Sequence, residues 1–377
     1  MIYREFIKGK IKASQLGFGC MRFPTKKKGD KVVIIEDEAI KMVHHAIENG
    51  INYFDTAYFY HDGESEVVLG KALVGGYREK VYVADKFPVG MAENEGSMEE
   101  VLDGQLAKLQ TSYADCYMLH GIGSRNIETI KKFNLLKKGE ELKKKGKINY
   151  FGFSFHDNFE ALKELLELYD KWDFCQIQYN YLDEYKQATT EGLKLLHEKG
   201  ISVIIMEPLR GGALSNIPVD VEKVFSRVDK DRSATNWALS WLFDKKEIST
   251  VLSGMSSMEQ LKENIEIANA ANVGCFSEEM RETVTKAYLA YEKRIKVNCT
   301  DCKYCMPCPK GVDIPFNFTI LNNDYKLETK NAWQYFTEEN KLKNASNCIG
   351  CKVCEPKCPQ KIQISEELKE MAANYVR

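Results

Sequence analysis

Eight short apolar runs between residues 15 and 254 constrain this chain more than any other feature. They are "QLGFGC" (15–20), "INYFDT" (51–56), "VYVADK" (81–86), "DCYMLH" (115–120), "INYFGFS" (148–154), "FCQIQY" (174–179), "ISVIIM" (201–206) and "TVLSG" (250–254). Amphipathic stretches separate them, among them "DEAIKMVHHAIENG", "SMEEVLDGQLAKLQ", "NFEALKELLELYD" and "MEQLKENIEIANA". Many of these begin after Asp, Ser or Asn and finish near Gly, as helix capping favours. Runs this short and continuously apolar suit strands buried on both faces of a parallel sheet. Eight strand–helix units over about 250 residues predict a (β/α)8 TIM barrel. A doubly wound sheet is the alternative, but the Gly-rich turn after the first strand is missing.

TIM barrels carry their chemistry at the C-terminal ends of the strands. Here those ends present Asp55, Lys86, His120, Ser154 and Gln176. Taken singly, Asp55 reads as a loop cap, Lys86 as a surface lysine and His120 as an edge histidine. Together, at equivalent positions on successive strands, they mark a site. A lysine beside an aspartate is held charged by the ion pair, and a lysine near a phenol lowers its pKa from about 10. Tyr60 would supply that phenol and act as general acid toward a carbonyl oxygen, which His120 would hold by a hydrogen bond.

The C-terminal part is different in kind. Eight of the 12 cysteines fall in two arrays, Cys299, Cys302, Cys305, Cys308 before Pro309 and Cys348, Cys351, Cys354, Cys358 before Pro359. The second reads C-x2-C-x2-C-x3-C-P, the bacterial run for [4Fe–4S] clusters, and the first is one residue shorter before its last cysteine. Two structural zincs on C-x2-C pairs are the alternative. Cys20, Cys116, Cys175 and Cys275 are expected in the core, with Cys20 lining the barrel mouth. Phe316, Phe318, Trp333, Tyr335 and Phe336, between the arrays, are candidates to cover the clusters or to dock the module. His44 and His45 are expected to be surface or packing residues.

Composition excludes other classes. With 53 basic and 55 acidic side chains the formal charge is −2, no footprint for nucleic acid. No apolar stretch approaches the roughly 20 residues of a membrane span, and the N-terminus lacks a signal peptide's apolar core. The expected compartment is the cytoplasm, where clustered thiols bind metal rather than pair.

The segments "FDTAYFY", "VADKF", "YMLHGI", "QIQYN" and "EPLRGG" occur in the order of the signature segments of the aldo-keto reductase superfamily, which residues 10 to 270 resemble, with a β-hairpin ahead of the barrel. By position, Asp55, Tyr60, Lys86 and His120 match that family's catalytic tetrad. The resemblance implies a carbonyl or alcohol substrate and NAD(H) or NADP(H), with Tyr60 giving a proton while nicotinamide gives a hydride. It places Ser154 and Gln176 on the carboxamide, Met206 against the nicotinamide ring, and Glu207, Leu209 and Gly211 along the pyrophosphate. Cys20, Met21, Asp55, Gly254, Gln260 and Asn264 complete the implied cofactor contacts. Where family members grip the 2′-phosphate with cations, this chain has Gly254, Met255 and Gln260, which predicts either a preference for NADH over NADPH or weak binding of both. It also reads Ser154–Phe155–His156 where the family usually follows the serine with asparagine.

The tail resembles a two-cluster bacterial ferredoxin. That resemblance implies one [4Fe–4S] cluster on Cys299, Cys302, Cys305 and Cys358, and a second on Cys348, Cys351, Cys354 and Cys308, the fourth cysteine of each array serving the other cluster. The expected domains are a barrel over 1–275, a linking helix over 276–297 and a ferredoxin-like domain over 298–377. Nicotinamide passes two electrons at once and a cubane one. A converter, a flavin or a redox partner protein, is therefore expected if the two exchange electrons. The alternatives are a carbonyl reductase with structural or redox-sensing clusters, and a non-catalytic electron-transfer or interaction protein on a reductase barrel.

Overall fold

The computed structural model describes residues 1–29 and 31–375, so positions 376 and 377 of the expected C-terminal domain lie outside the described residues. Its strands are β1 (Tyr3–Phe6), β2 (Ile11–Ser14), β3 (Leu16–Gly19), β4 (Thr25–Lys28), β5 (Lys31–Ile34), β6 (Tyr53–Asp55), β7 (Tyr82–Pro88), β8 (Ala114–Ile122), β9 (Ile148–Phe155), β10 (Phe174–Gln178), β11 (Ser202–Met206) and β12 (Ile248–Ser253). All eight expected strands form, and they close a parallel barrel in the order β3-β6-β7-β8-β9-β10-β11-β12. Two antiparallel hairpins, β1–β2 and β4–β5, stand outside it.

The barrel interior is packed rather than hollow. Tyr53, Ala84, Cys116, Met118, Phe174, Ile204 and Leu252 fill it, and the N-terminal hairpin adds Phe6 and Ile7, both fully buried. Phe6 meets the Tyr53 ring edge-on at 5.6 Å and the Phe174 ring at 6.1 Å. The first hairpin thereby plugs the barrel from the N-terminal ends of its strands. Strands pass so closely that Gly152 admits no side chain, since a Cβ there would stand 2.4 Å from the Phe174 carbonyl oxygen. Helices such as Glu36–Glu48, Ser97–Leu109, Phe159–Leu168 and Met258–Ala270 lie where the amphipathic stretches predict them. Asn158 and Ser257 cap two of these, each accepting from a backbone N–H of the first turn. His44 is a packing residue, stacked on Tyr77 at 4.2 Å with Nε2 2.8 Å from the Ala72 carbonyl oxygen.

The chain divides into two compact units, 1–211 with 235–277, and 212–234 with the chain from Glu278 onward. In the second, Val219–Ser226 and Glu278–Glu292 are helical, and Arg294 pairs with Asp220 at 2.7 Å and with Glu328. Helix Ile314–Leu327 puts Ile314, Phe318 and Leu321 into a core shared with Ile364, Leu368 and Met371 of the helix Ile364–Tyr375. Asn322 ties Val297 at both backbone groups, accepting from its N–H at 2.8 Å and donating to its carbonyl at 2.7 Å.

Near the foot of the barrel, Arg78 Nη2 donates to Asp115 Oδ2 at 2.7 Å, and Val83 N–H donates to the same oxygen at 2.9 Å. Both side chains are nearly enclosed. Truncating one partner of such a pair strands a charge and costs about 3–5 kcal/mol. Arg78→Met is therefore expected to lower the urea midpoint of the barrel's tryptophan fluorescence transition well below that of Arg78→Lys; equal midpoints would show the pair contributes little.

Candidate active site and thiolate clefts

Three neighbouring barrel strands, β6, β7 and β8, bring the expected quartet together. Lys86, on β7, has its ammonium buried and surrounded by three acceptors. Its Nζ donates to Asp55 Oδ1 at 2.6 Å, to the Thr56 carbonyl oxygen at 2.6 Å and to Tyr60 Oη at 3.3 Å. Lys86 Nζ also lies 4.7 Å from the Tyr60 ring centroid, and the His120 ring meets that ring edge-on at 6.3 Å. Burial alone would discharge this lysine. The Asp55 carboxylate, then Tyr60, outweigh burial and raise its pKa above the usual value. Burial raises the Asp55 carboxyl, and Lys86 opposes that rise.

Tyr60 departs from the sequence expectation. Its pKa is raised rather than lowered, because burial exceeds the pull of Lys86 and Asp55 adds to the rise. The phenol holds its proton, as a donor must. His120 is pushed down to about 3 by burial, the Lys86 charge and His156, leaving a neutral imidazole. Beside the quartet, Cys20 is fully buried in the turn after β3; burial and the Asp55 carboxylate raise its thiol well above the usual range.

A second network braces Lys86 from behind, unforeseen from sequence because its members lie far apart. Gln105 Nε2 donates to Glu66 Oε1 at 2.9 Å, to Asp85 Oδ1 at 2.8 Å and to the Lys86 carbonyl oxygen at 3.1 Å. Lys86 N–H donates to Asp85 Oδ1 at 2.8 Å, and Lys108 Nζ to Glu66 Oε2 at 2.7 Å. Burial, with Glu66 alongside, pushes the Asp85 carboxyl well above the usual range.

Ser154 and Gln176 stand opposite one another in the β9–β10 register. Ser154 Oγ accepts from Gly121 N–H at 2.7 Å. Gln176 is buried, and its Oε1 meets no donor among the described residues. An orphaned acceptor beside a hydroxyl fits the amide end of a nicotinamide, whose NH2 would satisfy it. Met206 ends β11 half-buried, and Glu207, Leu209 and Gly211 follow on a loop that turns through left-handed φ at Glu207, Arg210, Gly211 and Gly212. Met21 is exposed and Gly254 lies beside Arg22. Gln260 and Asn264 are engaged locally: Ser256 N–H donates to Gln260 Oε1 at 2.8 Å, and Asn264 Nδ2 donates to Ser253 Oγ at 2.9 Å.

The eight tail cysteines line two clefts. One, of about 320 Å³ counting space open to solvent, is walled by Cys299, Cys302, Cys305 and Cys358, with Phe318 and Ile364 behind them. The other, of about 410 Å³ on the same measure, is walled by Cys305, Cys308, Cys348, Cys351 and Cys354. Among the described residues no three His, Cys, Asp or Glu side chains converge tightly enough for a single metal ion. Thiols spread around a cleft suit a cubane, whose four irons each take one, better than a tetrahedral zinc. Phe316 and Phe336 pack on the core beside the clefts, whereas Trp333 and Tyr335 are about half exposed. Among the described residues no helix is long and apolar enough to cross a membrane.

A depressed histidine pKa has a definite sign. The unfolded chain takes up a proton near 6.5 and folded His120 does not, so this residue erodes stability as pH falls from above 6.5 toward about 3. An NMR titration of the folded protein is expected to show His120 unchanged between pH 8 and pH 5; an inflection near its ordinary value would contradict the burial argument.

The aldo/keto reductase family profile matches residues 15–288, and that of the 4Fe-4S dicluster domain matches residues 298–363. Uncharacterized oxidoreductase YqkF of Bacillus subtilis is 31% identical over 292 residues, which cover 68% of this chain and 88% of that protein. L-galactose dehydrogenase of Arabidopsis thaliana is 28% identical over 274 residues, 68% of this chain and 84% of its own. Among solved structures, the holo form of aldo-keto reductase AKR11C1 from Bacillus halodurans is 29% identical, with a TM-score of 0.62 over 76% of this chain and 96% of that one. An aldo-keto reductase from Klebsiella pneumoniae in complex with NADPH shares the fold at 20% identity and a TM-score of 0.61, covering 76% and 96%. The chain belongs to the aldo/keto reductase family, an oxidoreductase whose sequence continues past the barrel into a 4Fe-4S domain.

Proposed function

We propose that the barrel interconverts a small carbonyl compound and its alcohol with a nicotinamide cofactor, and that the tail holds two [4Fe–4S] clusters for electron transfer. The observation that carries the first part is the Lys86 ammonium, enclosed with the Asp55 carboxylate on one side and Tyr60 Oη on the other. A bound reduced nicotinamide would supply hydride. Ser154 and Gln176 hold its carboxamide, Met206 packs on its ring, and the Glu207–Gly211 backbone follows its pyrophosphate.

The chain's own residues supply the rest. Tyr60 Oη gives its proton to the carbonyl oxygen as charge develops there. Lys86, kept cationic by Asp55, stabilises the phenolate left behind. Neutral His120 donates a hydrogen bond to the same oxygen and fixes its position. In the tail, Cys299, Cys302, Cys305 and Cys358 hold one cluster, and Cys348, Cys351, Cys354 and Cys308 the other. The two sets correspond to the two clefts, with Cys305 bordering both. Each cluster would supply single-electron transfer, so exchange with hydride chemistry calls for a converter, a flavin or a redox partner protein.

Two measurements test this reading. Tyr60→Phe is expected to lower kcat by about 100-fold or more, the scale of a lost general acid, while NADH binding followed by fluorescence is retained. Near-normal turnover removes Tyr60 as the donor. Anaerobically isolated protein is expected to carry about eight irons and eight sulfides per chain, falling to about half in Cys358→Ser; zinc in place of iron would refute the cluster assignment.

A further inference from the structure

The barrel mouth holds a cation that the proposed chemistry leaves unused. Arg22 closes the short turn Cys20–Arg22 after β3. Its side chain crosses the loops that follow two other strands. A Cβ on Gly254 would stand 2.5 Å from Arg22 Cγ and 2.9 Å from Arg22 Cβ, and one on Gly211 would stand 3.3 Å from Arg22 Nη2. The aliphatic stem therefore lies on Gly254 and the guanidinium reaches Gly211. Ser256 Oγ donates to the Arg22 carbonyl oxygen at 2.9 Å, tying the turn to the loop after β12. No carboxylate among the described residues pairs with this guanidinium. Other arginines of the barrel are engaged, Arg4 with backbone carbonyls, Arg78 with Asp115 and Arg210 with Asp183 at 3.2 Å.

The surrounding loops need such a cation. After β12, Gly254 lies under the Arg22 stem, Met255 is buried and Gln260 accepts from Ser256, so that loop offers no charge of its own. Next to Gly211, Arg210 is neutralised by Asp183. Barrel order runs β10-β11-β12-β3. A dinucleotide held by its carboxamide at Ser154 and Gln176 would present its pyrophosphate as the first anionic group beyond the ribose, and the loops of β11 and β12 are the next in barrel order to receive it. A guanidinium presents paired donors that match phosphate oxygens.

We propose that Arg22 binds the pyrophosphate of the nicotinamide dinucleotide, supplying from the turn after β3 the positive charge that the loop after β12 lacks. This rests on the nicotinamide reading above. It shifts the expected basis of affinity from the adenosine end, where sequence shows no cation, to a group shared by NADH and NADPH. Gly211 and Gly254 become required because larger residues would displace the arginine.

Fluorescence titration of the holoprotein with NADH and with NADPH tests it. Arg22→Gln is expected to weaken both by about 10- to 100-fold and to flatten the salt dependence of binding, with Arg22→Lys recovering part of the loss. Gly254→Ala, which dislodges the stem, is expected to weaken both as well, and circular dichroism checks the fold of each variant. A loss confined to NADPH overturns the proposal by assigning the guanidinium to the 2′-phosphate. Unchanged affinity for both in Arg22→Gln, beside a wild type that binds, also overturns it. A wild type that binds neither cofactor overturns the nicotinamide reading itself, and this proposal with it.

Discussion

A single buried ammonium organises the barrel's mouth. Removing a lysine from water is unfavourable by several kcal/mol unless its charge and its donors are all met. Lys86 meets that demand with three acceptors drawn from the ends of two segments: the Asp55 carboxylate, the Thr56 carbonyl and the Tyr60 hydroxyl. Asp55 ends β6 and Tyr60 begins the turn after it, so the geometry requires β6 and β7 to be neighbours in register. Asp85 and Gln105 grip the Lys86 backbone on the far side, and Glu66 accepts in turn from Gln105. The helix Ser97–Leu109 is thus tied to the site through Gln105 rather than through packing alone.

The same charge sets the protonation states around it. His120 is held neutral partly by Lys86, and Tyr60 stays a phenol because burial exceeds the lysine's attraction. An acid that rests protonated, next to a cation that stabilises its conjugate base, is suited to giving up a proton only when a receiving oxygen arrives. The tail meets a different demand. Its thiols ring two clefts backed by a core of Ile314, Phe318, Ile364 and Leu368, so clefts and module core share one set of walls.

Much of this was legible in the chain. The eight strands were readable because both faces are buried and each run is continuously apolar. Asp55, Lys86 and His120 were readable because one polar residue closes each of several such strands, and Tyr60 because it follows Asp55 by five positions. The hairpin β4–β5 was not, since its strands "TKKK" and "KVVI" are largely exposed and leave no hydrophobic period to detect. The direction of the Tyr60 shift could not be read either, because a neighbouring cation and burial act in opposite senses and only the packed structure says which is larger. Arg22 illustrates a third limit. Its residue type was visible, but that its stem would lie on Gly254, more than two hundred positions away, follows from barrel closure between β12 and β3.

In the proposed reaction the Lys86 cation, held by Asp55, enables Tyr60 to donate its proton. Single-turnover oxidation of NADH by a simple aldehyde, in wild type and Lys86→Met under cofactor saturation, tests it most directly. The Met variant is expected to bind NADH but to transfer hydride at least about 100-fold more slowly. Transfer within a few-fold of wild type, in a folded variant with the cofactor bound, would contradict it.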